Sequence, residues 1–123
     1  MRLRSEVKTM KYVLLFCGEQ ADQDAFEAIS HDELSQRFAQ VFAWFDANRD
    51  RIRGTNQLQT RDTATTVRHG PDGPLIIDGP FLEGNELISG YAEIEVADLD
   101  EALAMAKTWP GLGAVEIRPV VEP

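Results

Sequence analysis

The sequence predicts an α+β fold of two layers, in which an antiparallel sheet carries both helices on one face. Two segments have the apolar spacing of amphipathic helices, and six shorter segments have the β-branched or alternating composition of strands. Their order along the chain is strand, helix, three strands, strand, helix, strand. When a hairpin in the middle is set aside as an insertion, this order becomes βαββαβ, the split βαβ pattern.

The first half of the chain predicts a buried strand and a capped helix. Residues 10–17 are apolar at nearly every position, as in a strand buried on both faces. Residues 18–29 form an acidic loop with a short helical turn near residues 25–28. Ser30 and Glu33 have the spacing of a capping box, which starts a helix over residues 31–48. One face of that helix carries Leu34, Phe38, Val41 and Phe45, widened by Phe42 and Trp44.

The middle of the chain predicts strands joined by tight turns. Residues 52–60 and 63–69 are expected to pair as antiparallel neighbours, because the second segment is rich in β-branched residues. Residues 70–74 read Gly-Pro-Asp-Gly-Pro, a strong turn signal. Residues 75–77 are then predicted as a short buried strand that closes a hairpin, and Asp78-Gly79-Pro80 turns the chain again.

The last third repeats the strand, helix, strand order. Residues 91–96 alternate strictly, with Ala92, Ile94 and Val96 on one face. Asp98 is placed to cap a second helix, which ends at Trp109-Pro110 because proline disfavours helix at the residue before it. The apolar stripe of this helix is Leu99, Ala102, Leu103 and Ala106, and residues 114–120 form the final strand.

The first strand also predicts the oligomeric state. Tyr12, Leu14 and Phe16 alternate with Val13, Leu15 and Cys17, so both faces of this strand are apolar. The two helices cover only one face of the sheet. The other face needs an apolar cover, and the sheet of a second copy supplies one most economically, so we expect a homodimer.

Composition bounds the class of protein. The chain has 123 residues, 43% of them hydrophobic, which fits one globular domain over residues 10–123 with a flexible N-terminal extension over residues 1–9. A net charge of −9 argues against a nucleic-acid binder, and no apolar run is long enough to span a membrane. The single cysteine, Cys17, excludes an intramolecular disulfide and fits the cytoplasm. Cys17 is better explained as a strand residue than as a lipidated or nucleophilic cysteine.

Asp78 is the strongest candidate for a catalytic residue. It follows an apolar strand, and a half-buried carboxylate there can act as a general base. The alternative is a turn residue whose carboxylate accepts hydrogen bonds from the following amides, with Gly79 and Pro80 shaping the turn. Phe81 either walls a pocket or fills the core.

The other candidates would assist at the same site. Glu83 supplies a second carboxylate in the same loop, although a solvated role is the simpler interpretation. His31 is a second catalytic candidate or only a polar residue of the first helical turn. Arg68 would bind an acidic ligand or pair with a carboxylate, and Tyr91 shares a strand face with Glu93 and Glu95. The sequence has no metal-ligand spacing and no cofactor motif, so neither group is expected.

The chain resembles the YCII-related superfamily, in the branch named for its Asp-Gly-Pro-Phe motif. The motif stands at residues 78–81, and it is accompanied in order by the segments at 10–12, 63–68, 90–91, 98–102 and 115–120. The resemblance implies a dimeric α/β barrel of ferredoxin-like fold. Some relatives in this branch are joined to, or encoded near, extracytoplasmic-function sigma factors, and other superfamily members are small cofactor-free enzymes with a His/Asp pair.

The resemblance leaves two hypotheses about function. The histidine of the enzymatic relatives would lie near residues 38–42, where this chain has none, and Asn85 replaces the lysine that usually follows the motif. These departures favour a non-catalytic regulatory or interaction module, linked to sigma-factor control and recovered with a protein partner. The alternative is a small cofactor-free enzyme or ligand-binding protein, with a small-molecule pocket near Asp78 and Phe81.

Overall fold

The computed structural model describes residues 8–81 and 86–122, which form an α+β fold. The elements follow one another as β1 (Met10–Glu19), α1 (Gln20–Ala28), α2 (His31–Ala47), β2 (Ile52–Gln57), β3 (Thr65–Gly70), β4 (Gly73–Asp78), β5 (Glu86–Val96), α3 (Leu99–Lys107) and β6 (Ala114–Pro119). A short 3-10 turn at Arg61–Thr63 lies between β2 and β3. The predicted extension, residues 1–9, falls mostly outside the described residues.

Four strands form one antiparallel sheet in the order β2-β5-β1-β6. Strand β1 lies at its centre and pairs with β5 and β6, so that Leu14 stands between Ala92 and Ile117. Strand β2 pairs with the other side of β5. The predicted pairing of residues 52–60 with 63–69 is therefore wrong. Residues 65–70 pair with β4 instead, in a separate two-stranded sheet.

The core lies between α2, α3 and one face of the sheet, which we call the helix-covered face. Alternate residues of β1 and β5 supply most of it, as their period-two pattern predicts. The buried hydrophobic residues are Tyr12, Leu14, Phe16, Trp44, Ala92, Ile94, Val96, Ala102 and Met105. Fully burying a large apolar side chain contributes about 1.5–3 kcal/mol, so this cluster is the main source of stability among the described residues.

An aromatic cluster anchors the helices to β1. The Phe16 ring stacks on Trp109, with ring centroids 4.0 Å apart, and meets Trp44 edge-on at 6.1 Å. Trp44 and Trp109 are themselves perpendicular at 5.1 Å, and Phe45 completes the cluster. The Trp44 indole N–H donates to the backbone oxygen of Met105, at 3.2 Å, which joins α2 to α3. Edge-to-face pairs of this kind add stability beyond the area they bury.

The two predicted helices, α2 and α3, begin where their caps predict, but they bury only part of their predicted apolar stripes. Ser30 Oγ accepts from the Glu33 amide at 3.2 Å, and an Asp98 carboxylate oxygen accepts from the Glu101 amide at 2.9 Å. In α2 the buried residue is Trp44, while Phe38 and Phe42 are exposed. In α3 the buried residues are Ala102 and Met105, while Leu99 and Leu103 are exposed.

Residues 20–28 form helix α1, where the sequence predicted only a short turn within a loop. The Asp22 carboxylate accepts from the Glu19 amide at 2.8 Å at the start of this helix. None of its residues is buried, so it lacks the apolar stripe by which helices are recognised. Phe26 meets Phe38 of α2 edge-on at 5.9 Å, a tertiary contact that sequence periodicity does not reveal.

Strand β5 is longer than predicted, because it begins at Glu86 rather than at residue 91. Gly90 sits inside it, opposite the backbone of β2. A Cβ atom at Gly90 would lie 2.9 Å from the Asn56 carbonyl oxygen, closer than packing allows. Glycine therefore marks a close approach between strands here rather than the end of a strand.

The second face of the sheet, which we call the open face, has no helix over it among the described residues. Val13, Leu15 and Cys17 of β1 lie along its centre and are half-buried. Tyr91 and Glu93 of β5 lie beside them, opposite Leu15 and Val13 respectively. The predicted alternation of β1 is confirmed, since its other face holds the core.

Strands β3 and β4 form a hairpin of residues 65–78, which we call the arm. The predicted turn at residues 70–74 is confirmed, with Gly70 paired to Gly73. The prediction that residues 75–77 are buried is wrong, because Leu75 is 60% and Ile76 73% exposed. Apolar sequence at these positions therefore does not reflect a core within this chain.

Candidate functional site

The Asp-Gly-Pro-Phe motif forms a corner at the base of the arm. Asp78 ends β4, and Gly79 follows it with a φ of 121°, a conformation that a side chain disfavours. The Gly79 amide donates to the Ala64 carbonyl oxygen at 2.8 Å, and the Thr66 hydroxyl donates to the Gly79 carbonyl oxygen at 2.7 Å. These two bonds tie the end of the arm to its beginning.

The Asp78 side chain is exposed at this corner. Within the part of the chain that the structure describes, its carboxylate takes part in no hydrogen bond or ion pair, so it does not bond the amides that follow it.

Arg68 and Phe81 meet beside the same corner. The Arg68 guanidinium carbon lies 5.0 Å from the centroid of the Phe81 ring, a cation–π contact between β3 and the motif. The Phe81 side chain is 63% exposed, so it fills no core. At exposed sites a cation–π pair is worth about 0.5–1 kcal/mol, enough to orient Arg68 without burying it.

The remaining candidates are dispersed. His31 is the exposed first residue of α2, and no contact between described residues joins it to Asp78. Tyr91 is half-buried on the open face, where its hydroxyl accepts from the side-chain NH2 of Asn56 at 2.9 Å. Glu83 lies outside the described residues, as does Asn85. The structure therefore brings together Asp78, Gly79, Pro80, Phe81 and Arg68.

Charged side chains surround the apolar centre of the open face. Arg118 pairs with Glu116 at 2.6 Å on β6, and Arg53 pairs with Glu95 at 3.4 Å. The Thr9 hydroxyl donates to the Glu95 carboxylate, and this bond lowers the pKa of Glu95, with the Arg53 charge acting in the same direction. Bonds to the charged form favour it.

Cys17 lies at the end of the apolar stripe on the open face. Burial raises the pKa of its thiol, and the nearby Glu116 carboxylate raises it further. A raised pKa leaves the sulfur as a thiol, which is a poor nucleophile and a poor metal ligand. The expectation that Cys17 acts as a strand residue agrees with this placement.

Two surface depressions are found away from the corner. One, of about 290 Å³, lies between the start of β1 and the end of β6, beside Lys11 and Val120. The other, of about 500 Å³, is bounded by the chain after β2, residues 57–60. Neither is lined by Asp78 or Phe81. Across residues 8–81 and 86–122, no three metal-ligating side chains come together.

Comparison with known proteins places the chain in a family. A model of the YCII-related domain matches residues 10–122, which include both sheets and all three helices. The protein belongs to the YCII-related family. The matched range begins at Met10, where β1 begins, so the YCII-related domain corresponds to the fold described above. None of the helices in the described part of the domain has the length and apolarity that crossing a membrane demands.

A relative of this YCII-related protein is an uncharacterised protein of Rhizobium meliloti (strain 1021). The two are 39% identical over 68 residues, which are 52% of this chain and 55% of the relative. The match thus spans about half of each protein.

Sequence reasoning missed two features of the surface. The arm exposes its apolar side chains, although apolar composition predicted burial there. Glu93 stands on the central strands of the open face with no ionic partner among the described residues, and pattern alone had grouped it with Tyr91 and Glu95. The signal for Glu93 would have been a carboxylate between two apolar residues, Ala92 and Ile94, on a strand that pairs on both sides.

Proposed function

We propose that this YCII-related protein is a non-catalytic interaction module that works as a homodimer in the cytoplasm. The observation that carries the proposal is the arm, whose apolar side chains point away from any core of this chain. Val67 is 52% and Ile76 73% exposed, and the two residues pair across the arm. Exposed apolar patches on a small domain are typical of protein interaction sites.

The homodimer is supported by the open face. Val13, Leu15 and Cys17 form an apolar stripe with no helix over it among the described residues. The order β2-β5-β1-β6, with all pairs antiparallel, agrees with a ferredoxin-like sandwich carrying an inserted hairpin. Two such sheets packed face to face make the dimeric α/β barrel that the family resemblance implies, and they bury the stripe.

The alternative of a small cofactor-free enzyme is less well supported. A general base must lie within hydrogen-bond reach of its proton in a site that holds the substrate, and such sites bury most of their ligand. Asp78 is exposed and lines neither surface depression, and His31 lies on another element. Catalysis by these two residues would therefore need a cavity that forms only when a second molecule is bound.

A ligand-binding role has one observation in its favour, the contact of Arg68 with Phe81. A cation held over an aromatic ring, beside the corner of Gly79 and Pro80, offers a place for an acidic small molecule. Glu83 and Tyr91 belong to this candidate only through the sequence. Native mass spectrometry of the purified protein tests it, since retained mass that Asp78→Ala and Arg68→Gln release would favour ligand binding.

The protein partner is suggested by the family resemblance alone. An extracytoplasmic-function sigma factor is the candidate that the family branch suggests, and nothing in the fold of this chain selects it. A pull-down with the purified sigma factors of the source organism tests it directly. Capture by the wild type and loss of capture in Ile76→Lys would support a link, whereas no capture would remove it.

Measuring the oligomeric state is the decisive test of the proposed homodimer. We expect sedimentation equilibrium to give the mass of a dimer, and Leu15→Glu to give a monomer that keeps its circular dichroism spectrum. Gln40→Glu, at an exposed position of α2, adds the same charge outside the open face, so it is the matched control and should remain dimeric. A wild-type monomer at all accessible concentrations would overturn the proposal, because the open face would then be stable in water.

A further inference from the structure

Three phenylalanine rings form a row on the surface of α1 and α2. Phe42 is 68% exposed, and Phe38 lies one turn before it, with the two ring centroids 6.5 Å apart. Phe26 of α1 meets Phe38 edge-on at 5.9 Å, so the row crosses from one helix to the other. We call these three side chains the aromatic row.

The apolar sector of α2 is wider than the core can cover. An α-helix turns by about 100° per residue, so Phe42 lies roughly 160° around the axis from Trp44, the residue that α2 buries. Phe38 lies roughly 120° from Trp44 by the same count. Burial in the core does not account for either ring, since both are exposed.

The aromatic row stays accessible in the proposed homodimer. The open face lies on the other side of the sheet from α2, so packing of that face on a second copy leaves the outer side of α2 in water. Aromatic side chains are enriched in protein interfaces, because each ring buries a large apolar area. The row therefore offers a docking surface that is separate from both the open face and the arm.

Carboxylates dominate the charge of the two helices that hold the row. Helix α1 has three carboxylates and no lysine or arginine: Asp22, Asp24 and Glu27. Each lies within about 6 Å of Phe26 along the axis, since a helix rises about 1.5 Å per residue. Helix α2 adds three more, of which Asp46 lies one turn after Phe42 on the same side. The surroundings of the row are therefore negatively charged.

The basic residues near the row do not cancel this charge. Within α1 and α2 the one lysine or arginine is Arg37, which lies roughly 140° around the axis from Phe42, toward Trp44. Arg49, in the turn after α2, is already paired with a carboxylate at 3.7 Å. Helix α3 contacts α2 at Trp44, on the core side, and its basic residue is Lys107. Six carboxylates and one arginine in the two helices attract a cationic partner.

Apolar rings within negative charge narrow the class of partner. Nucleic acids and anionic membrane surfaces carry charge of the same sign and are repelled. A small cationic molecule needs a concave pocket, and neither surface depression described above includes these rings. An extended peptide binds by pairing with a sheet edge, whereas the row lies on helices. A helical protein segment with positive charge meets both requirements.

The spacing of the rings also favours a helix. Neighbouring rings of the row are 5.9 and 6.5 Å apart, close to the pitch of an α-helix, about 5.4 Å. Apolar side chains on successive turns of a partner helix can therefore each contact one ring. Lysine and arginine on the flanks of that apolar stripe then lie near the carboxylates of α1 and α2.

We propose that the aromatic row binds a basic amphipathic helix of a partner protein. The inference rests on the proposed interaction role, but it depends neither on the arm nor on the homodimer. It gives the partner segment a chemistry, namely apolar residues at helical spacing with lysine and arginine beside them. Complementary charge of this kind speeds association and discriminates among partners.

A displayed library of random peptides tests the proposal. Peptides of about 16 residues are long enough for four helical turns. We expect selection on the wild-type protein to enrich peptides with excess lysine and arginine and with apolar residues at helical spacing. Fluorescence anisotropy of labelled, enriched peptides then compares variants of the protein. Phe42→Ser should weaken binding by about tenfold or more, because a few aromatic residues carry most of the energy of an interface. Glu27→Lys should weaken it by about threefold or more.

Matched controls make the same kinds of change on the arm. Ile76→Ser removes an exposed apolar side chain, and Asp72→Lys reverses the charge of an exposed carboxylate in the turn of the arm. Both should bind the enriched peptides like the wild type. Circular dichroism and sedimentation equilibrium show whether Phe42→Ser keeps its fold and its oligomeric state. If its fold is lost, Glu27→Lys against Asp72→Lys decides.

The outcomes separate the aromatic row from the wider interaction role. Basic helical peptides that lose affinity in Phe42→Ser and Glu27→Lys, but not in the arm variants, support the inference. Peptides without excess positive charge, peptides indifferent to both changes, or no enrichment at all overturn it. Peptides that need Ile76 instead overturn it and leave the interaction role intact. A Phe42→Ser variant that folds but no longer dimerises also overturns it, because the row would then be a contact between copies.

Discussion

The four-stranded sheet with its helices, which we call the body, buries apolar side chains, whereas the arm exposes residues of the same kind. In the body, Leu14 and Ile94 are at most 1% exposed and pack beneath two helices. In the arm, Leu75 and Ile76 are equally apolar and are mostly in contact with water. The body can therefore derive its stability from its own chain, whereas the arm cannot. Apolar composition alone does not reveal which of the two applies, because burial depends on what packs against the strand.

The largest expected effect contrasts one core position with one arm position. We expect Leu14→Ala to lower the free energy of unfolding by about 2–5 kcal/mol at any protein concentration, because it leaves a cavity beneath the helices. Ile76→Ala should change it by less than about 0.5 kcal/mol in dilute protein, where the arm is free. Urea denaturation at two protein concentrations measures both. Equal losses in dilute protein would mean that the arm has a core of its own.

The next effect tests how β2, the strand that leads to the arm, is held to the body. Gly90→Ala places a Cβ 2.9 Å from the Asn56 carbonyl oxygen, so we expect a loss of about 1–3 kcal/mol in the free energy of unfolding. Gly54→Ala is the control, since its Cβ would meet the nearest atom at 3.6 Å. If thermal unfolding shows the two variants alike, the close approach of β2 to β5 is not rigid.

A smaller effect concerns the start of α3, which packs on the helix-covered face of the sheet. Asp98→Ala removes the carboxylate that accepts from the Glu101 amide, and we expect a loss of about 1 kcal/mol. Asp100→Ala, in the same helical turn, keeps that bond and should cost only a few tenths of a kcal/mol through the helix dipole. Guanidinium denaturation distinguishes them, and equal losses would show that charge rather than capping matters here.

The smallest effect lies on the open face, where body and proposed interface meet. The folded pKa of Glu95 is lowered below its usual value near 4.5. Its contribution to stability is therefore present above about pH 4.5 and is lost as the pH falls through the folded value. Thr9→Val should raise that pKa in a carbon-13 NMR titration, whereas Thr55→Val, whose hydroxyl donates to a backbone oxygen, should leave it unchanged. An unmoved pKa in Thr9→Val would contradict the assigned cause.

The elements that the sequence predicts well are those with a local cause. Ser30 and Asp98 mark the helix starts because the capping bonds join residues three apart. The alternation of β1 and β5 predicts the core face because side chains in a strand alternate. Helix α1 was missed although Asp22 caps it locally, because none of its residues is buried and its contact of Phe26 with Phe38 is tertiary.

The candidate site was predicted less completely, for the same physical reason. The turn at Gly79 follows from its backbone requirement, and the structure confirms it. That Leu75, Ile76 and Asp78 are exposed depends on the separation of the arm from the main sheet, and no property of residues 65–78 determines that separation. The pairing of β2 with β5 rather than β3 likewise depends on which strand lies beside β2 in the folded sheet.

The aromatic cluster around Phe16 confines the tryptophan fluorescence of the protein to one region. Both tryptophans of the chain, Trp44 and Trp109, lie in this cluster, and the arm holds neither tryptophan nor tyrosine. Intrinsic fluorescence excited at the indole band therefore reports melting of the body alone, and detachment of the arm is optically silent. A fluorophore attached to the arm would add the missing signal, so that the two regions can be followed separately in one sample.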